Sequence, residues 1–125
     1  EKYTGLMRDQ SQKLPDWCFD VLKKISLKNS AITLYCMPPG TIMPEHGDTF
    51  VKYREIMNLK STDDVGRAVI FLEDWKSGHY FEIDETPIIN WKKGDYILWK
   101  NDTPHMAANL GKENRYTMQV TGIYV

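Results

Sequence analysis

Residues 94–124 read GDYILWKNDTPHMAANLGKENRYTMQVTGIY. Three β-rich runs stand out: 96–100, 105–109 and 115–124. Turn residues precede each one: Lys92-Lys93-Gly94-Asp95, then Asn101-Asp102-Thr103-Pro104, then Leu110-Gly111-Lys112-Glu113-Asn114. Such residues end pairing because they favour left-handed backbone or lack a donor. The same rhythm continues upstream. Runs at 88–91, 79–83, 67–73, 42–46 and 31–37 are separated by turns such as Lys76-Ser77-Gly78 and Pro38-Pro39-Gly40. Eight closely spaced strands with no helical crossover between them predict a mainly β double-sheet jelly roll or a barrel. The stretch 48–66 is the ambiguous piece, because 50–59 fits a ninth strand, a short helix or an ordered loop. A long connection inside a compact domain is often a lid or a substrate loop.

Before the strands the period changes. Leu14, Trp17, Cys18, Val21, Leu22 and Ile25 step along one face of a helix expected over about 15–28. Pro15 suits its first turn and Asn29 its end. Phe19 falls off the apolar stripe, free to pack on a neighbouring element. The expected organisation is one domain over 1–125, with the barrel from about 31 to 125.

Composition narrows the function. Sixteen basic and seventeen acidic residues give a net charge of −1, which argues against duplex nucleic acid. Two cysteines, Cys18 and Cys36, cannot make a disulfide scaffold, and two buried thiols are expected. The segment EKYTGLMRDQ has no apolar signal region, and no run reaches the length of a membrane span. A soluble, cytoplasmic domain with no membrane partner is the expectation.

The three histidines are His46, His79 and His105. In His46-Gly47-Asp48 the imidazole and carboxylate stand two residues apart, so on extended chain they point the same way. In an eight-strand jelly roll the second and seventh strands are antiparallel neighbours. The end of the one carrying His46 and Asp48 therefore abuts the start of the one carrying His105. Two His and one carboxylate on one face of an ion form the facial triad of non-haem Fe(II) oxygenases. Arg115 follows His105 by ten residues, and Thr117 shares its side of the strand. A guanidinium plus a hydroxyl inside a barrel can clamp a carboxylate, although a strand-end Arg taken alone more often pairs with a surface acid.

The pattern H-x-D, then H, then R-x-T ten residues on, with Gly94-Asp95-Tyr96-Ile97-Leu98-Trp99, resembles the 2-oxoglutarate- and Fe(II)-dependent dioxygenases. The likeness runs from about 31 to 125 and is closest to small members of the marine cyanobacterial and phage type. Residues Arg67-Ala68-Val69-Ile70-Phe71-Leu72 also resemble the arginine-led strand of the aspartyl/asparaginyl hydroxylase branch. The resemblance implies a double-stranded β-helix, cupin-like fold. It implies Fe(II) on His46, Asp48 and His105, and 2-oxoglutarate with its far carboxylate on Arg115 and Thr117. It also implies molecular oxygen as co-reactant, succinate and CO2 as products, and hydroxylation of a small-molecule or peptide substrate. Tyr35 is a further candidate for the cosubstrate carboxylate. Arg67 either binds a carboxylate or pairs with Glu73 or Asp95. Pro39-Gly40 before His46, and His105 with Asn109, resemble cupin motifs too, although most cupins carry a second His where Asp48 stands. A cupin-type metal enzyme without 2-oxoglutarate and a jelly-roll binding module are the competing readings. His79, after a hairpin turn, is expected to be a hydrogen-bonded turn-end residue rather than a fourth ligand. Trp75, Trp91 and Trp99 are expected in the core and rim, and Tyr53 and Arg54 on a solvated loop.

Overall fold

The computed structural model describes residues 8–9, 14–60, 62–100 and 102–124. Lys13, Ser61, Asn101 and most of the N-terminal run lie outside the described residues. The order is β1 (Arg8–Asp9), α1 (Trp17–Leu22), β2 (Leu27–Met37), β3 (Thr41–His46), α2 (Val51–Ile56), β4 (Val65–Phe71), β5 (His79–Ile83), β6 (Thr86–Ile88), β7 (Tyr96–Lys100), β8 (His105–Asn109) and β9 (Arg115–Tyr124). Two antiparallel sheets form, ordered β1-β2-β9-β4-β7 and β3-β8-β5-β6. From β2 onward the chain changes sheet at every connection except the β5–β6 hairpin, which is the jelly-roll winding that the short strands demand.

Strand parity sorts the side chains. Phe71 is opposite Thr117, and Val69 is opposite Gln119. Directly paired residues share a face, so Arg115, Thr117, Gln119 and Thr121 face the space between the sheets. There Met37, Val69, Phe71, Phe81, Trp91, Trp99 and Ala107 form the inner core. Phe71 stacks on Trp91 with ring centroids 3.8 Å apart and meets Phe81 edge-on at 6.0 Å. Even positions Met118 and Val120 face outward with Ala68 and Ile70, covered by Cys18, Ile25 and Leu27. Each of the larger aliphatic side chains among them contributes ~1.5–3 kcal/mol.

The helix is shorter than the periodicity predicts. It ends at Leu22, and the chain is already in β2 at Leu27. Leu27 and Lys28 pair with Tyr124 and Ile123, and a register shift follows before Ala31. Asn29 takes φ 53°, so it bends a bulged strand instead of ending a helix. Ladder bonds and the burial of Ile25 and Leu27 outweigh the last turn of a short, marginal helix. Trp17 and Phe19 stay 42% and 49% exposed, so Phe19 is only half covered. Cys18 and Cys36 are free, buried thiols. The ambiguous 50–59 stretch contains helix α2, entered through Phe50 in the left-handed conformation at φ 56°. The strand expected at 88–91 lies earlier, at Thr86–Ile88, because Asp84 and Glu85 both adopt positive φ and close a two-residue hairpin.

Candidate metal centre

β3 and β8 are paired, with His46 directly opposite His105. β3 is an edge strand, and its register shifts between Met43 and His46. Pro44, which has no amide hydrogen to donate, sits in that irregularity, and such a bulge re-aims the side chain that follows. The His46-Gly47-Asp48 turn is pinned by Asp102, whose backbone N–H donates to the Asp48 carbonyl at 2.9 Å. A Cβ on Gly47 would stand 3.1 Å from Asp102 Cα, so glycine lets the two turns touch.

The result brings His46, Asp48 and His105 together, with one ligand atom from each inside a 4.8 Å cluster. His46 Nε2 is 3.5 Å from Asp48 Oδ1, and His105 Nε2 is 3.4 Å from Oδ2. The other ring nitrogens are occupied. His46 Nδ1–H donates to the Pro44 carbonyl at 2.8 Å, and His105 Nδ1–H to the Thr103 carbonyl at 2.9 Å. A carbonyl only accepts, so each Nδ1 carries a proton, and in the neutral ring each Nε2 is left with its lone pair. Two lone pairs and a carboxylate converge, and that arrangement calls for a cation. This is how outer-shell carbonyls fix metal-binding imidazoles. Burial pushes the His105 pKa down, and this outweighs the upward pull of its Thr103 hydrogen bond and Asp48. The shift favours the neutral imidazole, the form that can ligate an ion.

Around the triad, Trp99 Nε1 donates weakly to Asp48 Oδ2 at 3.4 Å. The Trp99 ring centroid is 4.6 Å from that of His105. Arg67 Nη1 reaches Asp48 Oδ2 at 3.1 Å and Nε donates to Thr121 Oγ1 at 3.1 Å. Arg67 thus pairs with neither Glu73 nor Asp95, the two surface partners that sequence alone leaves open. Glu45, Thr49, Phe50 and Arg67 join His46 and Asp48 around an open cleft of about 580 Å³.

Arg115 and Thr117 lie deeper on the same inner face. Arg115 is opposite Met37 and Thr117 is opposite Tyr35. Arg115 is six residues from Thr121, so ~20 Å of strand separates its backbone from the triad end. Its Nε and Nη1 are buried with no hydrogen-bond partner among the described residues, and burial pushes its pKa down to about 10. His79 is opposite Asn109, at the far end of β8 from His105. It bonds the Glu113 carbonyl through Nε2 at 2.9 Å, away from the triad. Trp91 and Trp99 are buried, Tyr53 bonds the Asn29 carbonyl, and Arg54 bonds those of Lys60 and Asp63. Sequence reasoning missed Thr121, Trp99 and the two carbonyls. Counting odd positions forward along β9 from Arg115 would have found Thr121.

No protein-family description matches the chain, and no functionally curated protein is significantly similar. Solved structures do match. The cupin domain of Cnp3 from Schizosaccharomyces pombe superposes with a TM-score of 0.56 at 12% identity, covering 98% of this chain and 69% of that one. A protein described as a predicted oxalate decarboxylase from Thermotoga maritima gives 0.54 at 13%, covering 94% and 78%. An uncharacterized Klebsiella pneumoniae protein with a double-stranded β-helix domain gives 0.50 at 13%, covering 81% and 79%. At these identities the likeness carries the fold alone, and the fold is the cupin-type double-stranded β-helix.

Proposed function

We propose that this protein is a mononuclear metal enzyme using Fe(II) and 2-oxoglutarate to hydroxylate a C–H bond of a small molecule or peptide. The observation that carries the metal is the pair of Nε2 lone pairs facing Asp48, each fixed by a backbone carbonyl on Nδ1. Two nitrogens and one carboxylate suit a first-row dication and leave ligand positions open. When bound, the iron and 2-oxoglutarate supply oxidative decarboxylation with O2, which the protein's own groups cannot perform.

The chain's residues then have separable tasks. His46, Asp48 and His105 hold the ion. Arg67, at the cleft, meets the carboxylate nearest the metal. Arg115, with Thr117 beside it on the inner face, is assigned the far carboxylate, which would give its orphaned N–H groups an acceptor; for that, its side chain and the diacid must extend toward one another along the strand between them. Trp99 and Phe81 wall the His105 side and keep water from it; Phe81 lies 6.3 Å from the His105 ring.

Calorimetry with Mn(II) in place of Fe(II) tests this. Wild type should bind one ion and then 2-oxoglutarate. His105→Ala should lose both, and Arg115→Ala should keep the ion and bind 2-oxoglutarate at least ~10-fold more weakly. Unchanged 2-oxoglutarate affinity in Arg115→Ala removes Arg115 from the site.

One observation favours a second reading. Phe71, Phe81 and Trp99 occupy the inner core of the barrel that holds both the triad and Arg115. A cupin-type metal enzyme acting on a shorter acid held at Arg67 would fit that packing. It would bind metal, release no succinate, and be indifferent to Arg115.

A further inference from the structure

Arg67 is held on three sides. Nε donates to Thr121 Oγ1 at 3.1 Å, the guanidinium carbon lies 4.9 Å above the Phe50 ring centroid, and Nη1 is 3.1 Å from Asp48 Oδ2. The side chain is also on the wall of the cleft. The oxygen it touches is the one that His105 Nε2 approaches at 3.4 Å. One carboxylate therefore serves two cations, the guanidinium and whatever ion the triad takes. Both cannot draw fully on Asp48, because like charges a few ångströms apart in a partly buried site repel strongly.

The geometry points to Arg67 as a built-in counter-cation that metal displaces and that then becomes the receptor for an anionic ligand. This rests on the metal reading above and adds an order of events to it. Without metal, the guanidinium neutralises Asp48 and keeps the carboxylate aimed at the two imidazoles. A dication entering the triad takes over Asp48. Thr121 and Phe50 keep the guanidinium from swinging away, so its Nη groups remain at the cleft with their acceptor withdrawn. A carboxylate arriving from the cleft supplies a new acceptor and offsets the repulsion between the guanidinium and the ion. Metal and carboxylate must then tighten one another by the same factor, since coupling of binding free energies is reciprocal. The ligand class that follows is an acid with its carboxylate at the metal-proximal end.

The test uses the whole chain, with folding of each variant checked by its thermal melt. Mn(II) is titrated into wild type, Arg67→Gln and Arg67→Lys at neutral pH, each with and without saturating 2-oxoglutarate. With no carboxylate present, Arg67→Gln should bind Mn(II) roughly tenfold more tightly than wild type, and Arg67→Lys should stay near wild type because it keeps the charge. Adding 2-oxoglutarate should tighten Mn(II) binding to wild type by about tenfold more than to Arg67→Gln. Equal or weaker Mn(II) binding by Arg67→Gln overturns the displacement of Arg67 while leaving the metal site intact. Failure of wild type itself to bind Mn(II) overturns the metal reading and this inference with it.

Discussion

Replacing Arg115 with Met removes a charge that the barrel buries without a partner. Burial pushes this guanidinium from its ordinary value down to about 10, a fall of more than two units. At ~1.36 kcal/mol per unit, holding the cation inside costs about 3 kcal/mol. The sign follows from linkage. At neutral pH the group is charged in both the folded and the unfolded chain, so the cost applies in full. It fades only as pH rises above about 10, where the folded state has shed the proton first. Met keeps most of the aliphatic stem and leaves a small void costing ~1 kcal/mol. The variant should therefore be more stable than wild type by ~1–2 kcal/mol, a rise of roughly 3–8 °C in midpoint. A bound diacid reverses the order, because an acceptor at Nε and Nη1 relieves the wild-type penalty. With Mn(II) present and 2-oxoglutarate at 100 times its Kd, wild type should gain ~2.7 kcal/mol and Arg115→Met far less. Thermal melts of both proteins with each combination of Mn(II) and 2-oxoglutarate give the answer. A Met variant that melts lower than wild type and is still stabilised by 2-oxoglutarate refutes the reasoning.

Three other outcomes follow from the same geometry. His79→Ala should leave Mn(II) affinity within about twofold of wild type and lower stability by ~1–3 kcal/mol, since a buried ring is lost and the Glu113 carbonyl keeps only Asn109 Nδ2 as a donor; loss of metal binding would place His79 in the site. Gly78→Ala should destabilise by at least ~2 kcal/mol in a denaturant titration, because Gly78 has φ +89° and an added Cβ would lie 2.3 Å from the Gly111 nitrogen; a neutral substitution would show that the two turns do not touch. In metal-free protein, the lowered pKa of His105 means the unfolded chain binds its proton first as pH falls below 6.5. Stability should drop on acidification through that window by up to ~1.4 kcal/mol per pH unit, and His105→Gln should flatten the slope of the melting curves.

The strands and the triad were legible because both depend on local rules. Turn residues mark strand ends, a two-residue spacing puts His46 and Asp48 on one side, and jelly-roll winding brings the second and seventh of eight strands together. His46 opposite His105 is the outcome of those rules. Legibility stopped where tertiary pairing overrides local preference. The helical period through Ile25 could not reveal that Leu27 and Lys28 would join Tyr124 and Ile123 across a bulge at Asn29. A left-handed Phe50 entering α2 is likewise unreadable, because aromatic residues rarely adopt that backbone. Arg67 was ambiguous for a related reason. Its partners, Asp48, Thr121 and Phe50, come from three separate segments, and only the cross-strand register brings them together.

The metal centre itself is tested most directly by anomalous diffraction from crystals grown with Mn(II). The converging Nε2 atoms and Asp48 require a single peak within ~2.3 Å of all three donors, with both Nδ1–H bonds to Pro44 and Thr103 retained. An empty triad with manganese bound elsewhere, or a water hydrogen-bonded to all three groups in its place, would contradict it.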